Sequence, residues 1–188
     1  MEQIKELTKR LIANSFKELL QQLPFEKITI KTITDHANVI RPTFYNHFHD
    51  KYELLEWIVK TEIVDKTREA IGKGSARGAI RVLFAGFLED KEYYRKAFEI
   101  TGQNGFADTL TDLFAQMFVE IIKDDTYGNG ILTRDALAKY YASGVVSMVR
   151  LEVFRQEDAD LEEIIDAYRF LMLHTIFDLI DNKTNDKA

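Results

Sequence analysis

Apolar positions along this chain recur at three- and four-residue spacings almost throughout, and no segment alternates persuasively as a strand would. Ile30, Ile33 and Ala37 follow i, i+3, i+7 and predict a short helix over 30–37 with one buried stripe. Thr29 is its expected N-cap. Asn38 sits where the chain must turn sharply, and Asn tolerates the left-handed conformation better than most residues. Val39 is expected to plug the angle to the next helix. Pro42 suits the first turn of that helix, where its missing N–H costs little. Phe44 and Phe48, spaced i, i+4, should point inward. Arg41, Thr43, Tyr45, Asn46 and His47 are left for the outside. Asp50 with Glu53 has the form of a capping box and opens a further helix at Lys51.

The rest of the chain also reads as helices. The first helix spans 2–22, with Ile4, Leu7, Leu11, Leu19 and Leu23 expected on its inner side. A long helix over 51–71 links two domains, 1–50 and 51–188. Gly72, Gly74, Ser75 and Gly78 mark a break after it. Shorter helices are expected over 79–90 and 91–101, and longer ones over 106–124, 133–156 and 160–182. Asp160 with Glu163 offers the last helix a capping box, and 127–130 reads as a turn. The fold class is therefore all-α: three N-terminal helices containing a helix-turn-helix, then a larger helical domain.

Charge sharpens this division. The net charge is −6, yet residues 1–51 carry 8 Lys/Arg against 6 Asp/Glu, while residues 52–188 carry 17 against 25. A weakly basic head on an acidic body suits a DNA reader with a separate sensing domain. The length of 188 residues is enough for both units. No apolar run is long enough for a transmembrane helix, and the amphipathic start MEQIKELTKRL does not read as a signal peptide. With no cysteine there are no disulfides. A soluble cytoplasmic protein, without membrane association, is expected.

The segment Ile33 to Val39, then Thr43-Phe44-Tyr45-Asn46-His47-Phe48, then Lys51 with Leu54-Leu55, resembles the DNA-binding domain of the TetR family of bacterial transcriptional regulators. The likeness covers about the first 60 residues; beyond them only length and helical layout are similar. It implies a homodimer on a double-stranded DNA operator, and usually repression relieved by a small-molecule effector. Two positions depart from the pattern. Asn38 replaces the usual Gly, and Ile40 replaces a small hydroxyl residue that caps the recognition helix and touches phosphate. Arg41 to Phe48, with Leu54 to Ile58, further resembles dihydroxyacetone-kinase operon regulators. There the signal arrives through a kinase-related protein partner, and the regulator can be an activator.

Candidate DNA-contacting residues are Lys31, Thr32, Arg41, Pro42, Thr43, Tyr45, Asn46, His47 and Lys51. Arg41 and Thr43 are the best base readers, since Arg pairs bidentately with guanine and Thr meets a thymine methyl. A cation at a helix start opposes the helix dipole, so an external anion is the expected reason for Lys51. Tyr140, Gly144, Met148, Leu171 and Thr175 are candidates for a dimer contact between the last two helices, against the plainer reading of core. Phe114, Tyr141, Arg150 and His174 are candidates for a mostly apolar ligand cavity. A carrier that holds an apolar ligand without binding DNA is the rival, resting on Phe84, Phe87, Tyr93, Tyr94, Phe98, Phe106, Phe114 and Phe118; helical spacing makes most of these core. Nothing points to an enzyme, a cofactor or a metal: His47 and His49 lie two apart, which does not place both on one helical face, and no phosphate-loop or hydrolase motif occurs.

Overall fold

The computed structural model describes residues 2–123, 126–127, 130–157 and 159–174. The head begins with α1 (Glu2–Gln22) and a single 3-10 turn at Phe25–Lys27. The helix-turn-helix follows as α2 (Ile30–His36) and α3 (Arg41–Tyr45). The expected stripe on α1 is corrected. Only Leu19 of it is buried, while Ile4 and Leu7 are each 69% exposed. The buried face is Ile12, Ala13, Phe16, Leu19 and Leu20, and among the described residues no core residue precedes Ile12. The cause is local: only the second half of α1 meets the head core, where the Phe16 ring stands edge-on to Phe25 at 6.2 Å.

The rod between head and body comprises α4 (Lys51–Val59), one π turn (Lys60–Val64) and α5 (Asp65–Gly72), without interruption. Gly74 then takes a left-handed φ of 78°, and the Ser75 hydroxyl accepts the Gly78 N–H to start α6 (Ala76–Glu89). Gly78 thus lies inside α6, which begins three residues earlier than its apolar period suggests. The body continues with α7 (Lys91–Phe98), α8 (Phe106–Ile121), α9 (Arg134–Phe154) and α10 (Leu161–Leu173). A two-residue antiparallel ladder, Thr126 opposite Thr133 and Tyr127 opposite Leu132, precedes α9. It is the one strand pairing among the described residues. The turn expected at 127–130 lies only partly within them.

The α10 helix is shorter than the expected 160–182. His174 is extended, at ψ 139°, and forms its C-cap. Residues 175 to 188 lie outside the described ones. At its start, Asp160 accepts from the Glu162 N–H.

The body core is made of Leu83, Phe84 and Phe87 from α6, Tyr93 and Tyr94 from α7, Phe106, Leu110 and Phe114 from α8, and Val149 and Val153 from α9. With Phe98 of α7, the core takes in seven of the eight aromatics that a carrier would need for a ligand. Ion pairs tie α6 to α10: Arg77 meets Glu162 and Asp166, and Arg81 meets Glu162. Buried Glu152 of α9 accepts from the Tyr168 hydroxyl of α10 at 2.7 Å and from Arg155 Nε at 2.6 Å. No described helix is long and apolar enough to cross a membrane.

Candidate DNA-binding surface and body cavity

Three backbone devices set the angle of α3. The Thr29 hydroxyl caps α2 by accepting the Thr32 N–H at 3.1 Å. Asn38 adopts φ 56°, the only left-handed non-glycine among the described residues, so the turn closes in the conformation that Asn tolerates. Phe44 and Phe48 are then driven into the head core, their rings 5.7 Å apart, with Phe48 against Trp57. Val39 packs partly buried beside them. Ile40 leaves α3 without a side-chain cap and is itself 69% exposed.

With its aromatic side locked, α3 turns its polar side outward. Arg41, Pro42, Tyr45 and Asn46 are exposed, and Thr43 and His47 half-buried. The Arg41 guanidinium lies 6.0 Å from the Tyr45 ring centroid and donates to its hydroxyl at 3.4 Å. Lys31 is exposed on the first turn of α2, and the Thr32 hydroxyl pairs with that of Thr29 at 2.8 Å. Burial, followed by the cations of Lys9 and Lys5, holds the His47 pKa below its ordinary 6.5. Lys5 and Lys9 therefore join this surface. The sequence carried the signal, since the two are one helical turn apart on α1, but it did not show that this turn lies beside α3.

Asp50 caps α4 by accepting from Tyr52 and Glu53, while the Glu53 carboxylate accepts from the His49 N–H. Lys51 behaves differently from its expected role. Its ammonium donates to the Phe25 carbonyl at 2.6 Å and to the Ile28 carbonyl at 2.9 Å. Burial lowers its pKa, against the nearby carboxylates of Glu26 and Asp50. The charge at this helix start thus has an internal anchor. An ammonium has three donors, so one remains after the two carbonyls.

In the body, a cavity of about 320 Å³, open to solvent, lies between α5, α6, α8, α9 and α10. Its walls include Thr67, Ile80, Leu83, Phe114, Tyr141 and Met172, and no charged side chain among the described residues lines it. The buried Thr67 hydroxyl finds no hydrogen-bond partner among the described residues. Of the four expected ligand residues, Phe114 and Tyr141 line the cavity. Arg150 does not: its guanidinium lies 5.9 Å from the Phe154 ring. Nor does His174, whose Nδ1 pairs with the Phe170 carbonyl at 2.8 Å and whose ring stacks on Phe170. Thr67 was missed because a threonine in a helix carries no signal of an empty wall beside it.

The outer faces of α9 and α10 are unusually apolar for a single chain. Tyr140 is 73% and Leu151 66% exposed, and Leu171 and Met172 are exposed beyond them. Gly144 is exposed with open space around it, and Met148 is half-buried. Thr175 lies outside the described residues.

Comparison with known proteins supplies the context for this geometry. Residues 17–58 match the family described as bacterial regulatory proteins, tetR family. Residues 76–174 match a transcriptional regulator C-terminal region. The chain is 24% identical over 151 residues to the HTH-type dhaKLM operon transcriptional activator DhaS of Lactococcus lactis, covering 79% of this chain and 81% of that protein. A solved structure of a dihydroxyacetone kinase operon activator DhaS superposes with a TM-score of 0.60 at 24% identity, covering 88% of this chain and 94% of that one. Thermus thermophilus FadR, a repressor solved with lauroyl-CoA, superposes with a TM-score of 0.57 at 18% identity, covering 89% and 94%. With the helix-turn-helix, the outward polar side of α3 and both family matches in place, the chain belongs to the TetR family of DNA-binding bacterial transcriptional regulators.

Proposed function

We propose that the protein works in the bacterial cytoplasm as a homodimer that occupies a pseudo-palindromic operator and leaves it when an uncharged small molecule fills the body. The observation that carries this reading is the division of α3, with Phe44 locked into the core while Arg41 and Tyr45 are exposed to solvent. Arg41 and Thr43 are assigned to base edges in the major groove. Lys31, Thr32, Pro42, Tyr45, Asn46, His47 and the remaining Lys51 donor are assigned to the DNA backbone, which fixes register.

The exposed faces of α9 and α10 are assigned to the second copy, around Tyr140, Gly144, Met148 and Leu171. Two-fold protein symmetry is mirrored in the operator. The cavity suits a largely hydrocarbon ligand with one polar group for Thr67, since a charge there would meet no partner. Such a ligand shifts occupancy only by preferring one spacing of the heads.

A second reading is favoured by the likeness to DhaS, an operon activator by description. Here the protein activates its operon, and a kinase-related protein partner brings the signal. One experiment addresses both readings. Gel shifts with genomic fragments at several salt concentrations should retain a pseudo-palindromic site. Metabolite pools and a cell extract are then added separately. Release by an apolar metabolite fraction supports the first reading, and a response only to the extract supports the second. Fragments retained without preference contradict operator recognition.

A further inference from the structure

One ammonium joins α1 of the head to both the rod and the body. Lys17 of α1 reaches Glu62 in the π turn at 2.8 Å and Asp90, the C-cap of α6, at 2.7 Å. Gln21, one turn along α1, donates to Asp90, and the Tyr94 hydroxyl of α7 donates to the Glu62 carboxylate, each at 3.4 Å. The Lys17 side chain is only 15% exposed and lies 5.2 Å from the Tyr93 ring centroid. Burial opposes its charge, but the bonds to Asp90 and Glu62 outweigh burial and raise its pKa. One cation thus separates two carboxylates that belong to different elements.

The π turn explains why Glu62 arrives there. A π turn adds a residue to the helical circuit and re-aims the side chains that follow. The same turn seats Ile63 against Gly86 of α6. The Ile63 Cδ1 atom lies 2.5 Å from where a Cβ on Gly86 would stand, so a side chain there would make the tip of Ile63 turn aside. The rod is therefore keyed to α6 on one side and pinned to α1 on the other. Ala79, Ile80 and Leu83 of the same α6 form a wall of the body cavity.

We propose that Lys17 is the latch of the head-to-body joint: bonded to Glu62 and Asp90, it holds the head at one angle, and displacement of α6 releases it. Without the cation, Glu62 and Asp90 confront each other as like charges across the rod and α6, and α1 loses its charged tie to both. The release step rests on the cavity being the effector site; the latch itself does not.

The test uses the full chain, which has no native cysteine. Glu26→Cys on the head and Glu163→Cys on the body carry a fluorophore pair, and labelled protomers are diluted with unlabelled ones. Single-molecule transfer should give one narrow head-to-body distance in the parent. Lys17→Met should shift or broaden it and weaken operator binding by about tenfold, with the salt slope unchanged because no phosphate contact is lost. Lys17→Arg should retain the parent distance. Lys17→Gln keeps a polar side chain but removes the charge, so it should shift the distance as well, and it serves where Lys17→Met fails to fold. Distance distributions in Lys17→Met and Lys17→Gln that superpose on the parent would overturn the latch. The distance decides this even where no operator is bound or no small molecule acts, which separates it from the effector reading.

Discussion

Lys51 holds Phe25 twice over, with its ammonium 2.6 Å from the Phe25 carbonyl oxygen and 4.0 Å from the centroid of the Phe25 ring. The contact ties the start of α4 to the 3-10 turn that leads into α2. Lys51→Met would leave the Phe25 and Ile28 carbonyls without this donor, and thermal unfolding should report a loss of about 1–3 kcal/mol. Well below the melting range, the salt slope of operator binding should also fall by about one unit per protomer, through the third N–H. A slope equal to wild type would make Lys51 a clamp and nothing more.

His47 gives the head a pH signature. In the free protein, burial and the cations of Lys9 and Lys5 keep its pKa below 6.5. A DNA phosphate beside it favours the protonated ring, so the bound pKa is the higher one and binding takes up a proton. Operator affinity should therefore rise as pH falls toward and below 6.5. His47→Gln should flatten that rise, and an equal rise in the variant would remove His47 from the interface.

The dimer contact is tested at Gly144, where a side chain meets nothing within the protomer. Gly144→Arg should leave the fold and its helix content unchanged, yet sediment as monomer and lose operator affinity. A variant that remains dimeric would place the contact away from α9.

Glu152 is a stability prediction with a definite sign. The hydrogen bond from Arg155, then that from Tyr168, keeps its carboxyl below the ordinary 4.5 despite burial. Its stabilisation is present above the unfolded-state pKa and is lost as pH falls through the folded one. Glu152→Gln should cost about 1–2 kcal/mol near neutrality, and the gap to wild type should close as pH drops below 4.5. A gap independent of pH would mean that the charge contributes nothing.

In the cavity, Phe114→Trp narrows the space without touching the head. It should raise the ligand concentration needed to empty the operator while ligand-free affinity stays near wild type. Equal responses in both proteins would move the effector elsewhere.

The head was legible because its constraints are local. Thr29, Asn38 and Asp50 act through their own backbone neighbours, and the i, i+4 pair Phe44 and Phe48 leaves one way to face. Contacts made across the fold were not legible. The inner face of α1 depends on where the head core begins, not on the period alone, so Ile4 and Leu7 were misplaced. Lys51 finds its carbonyls across more than 20 residues of sequence. The π turn shows in the sequence only as one five-residue step, from Ile58 and Val59 to Ile63 and Val64, and that step does not reveal the meeting of Glu62 with Lys17. Arg150 and His174 have the chemistry of pocket residues, but α9 and α10 aim them away from the cavity.

The central claim is that α3 reads DNA, and the sequences selected from a random duplex pool by wild type, Arg41→Ala and Tyr45→Ala test it most directly. Wild type should select a pseudo-palindrome. Arg41→Ala should lose preference at one base pair in each half-site, at a cost of about 1–3 kcal/mol, whereas Tyr45→Ala should weaken all sequences evenly and keep the same preference. A wild-type protein that enriches no sequence, or three proteins with identical preferences and affinities, would contradict the account.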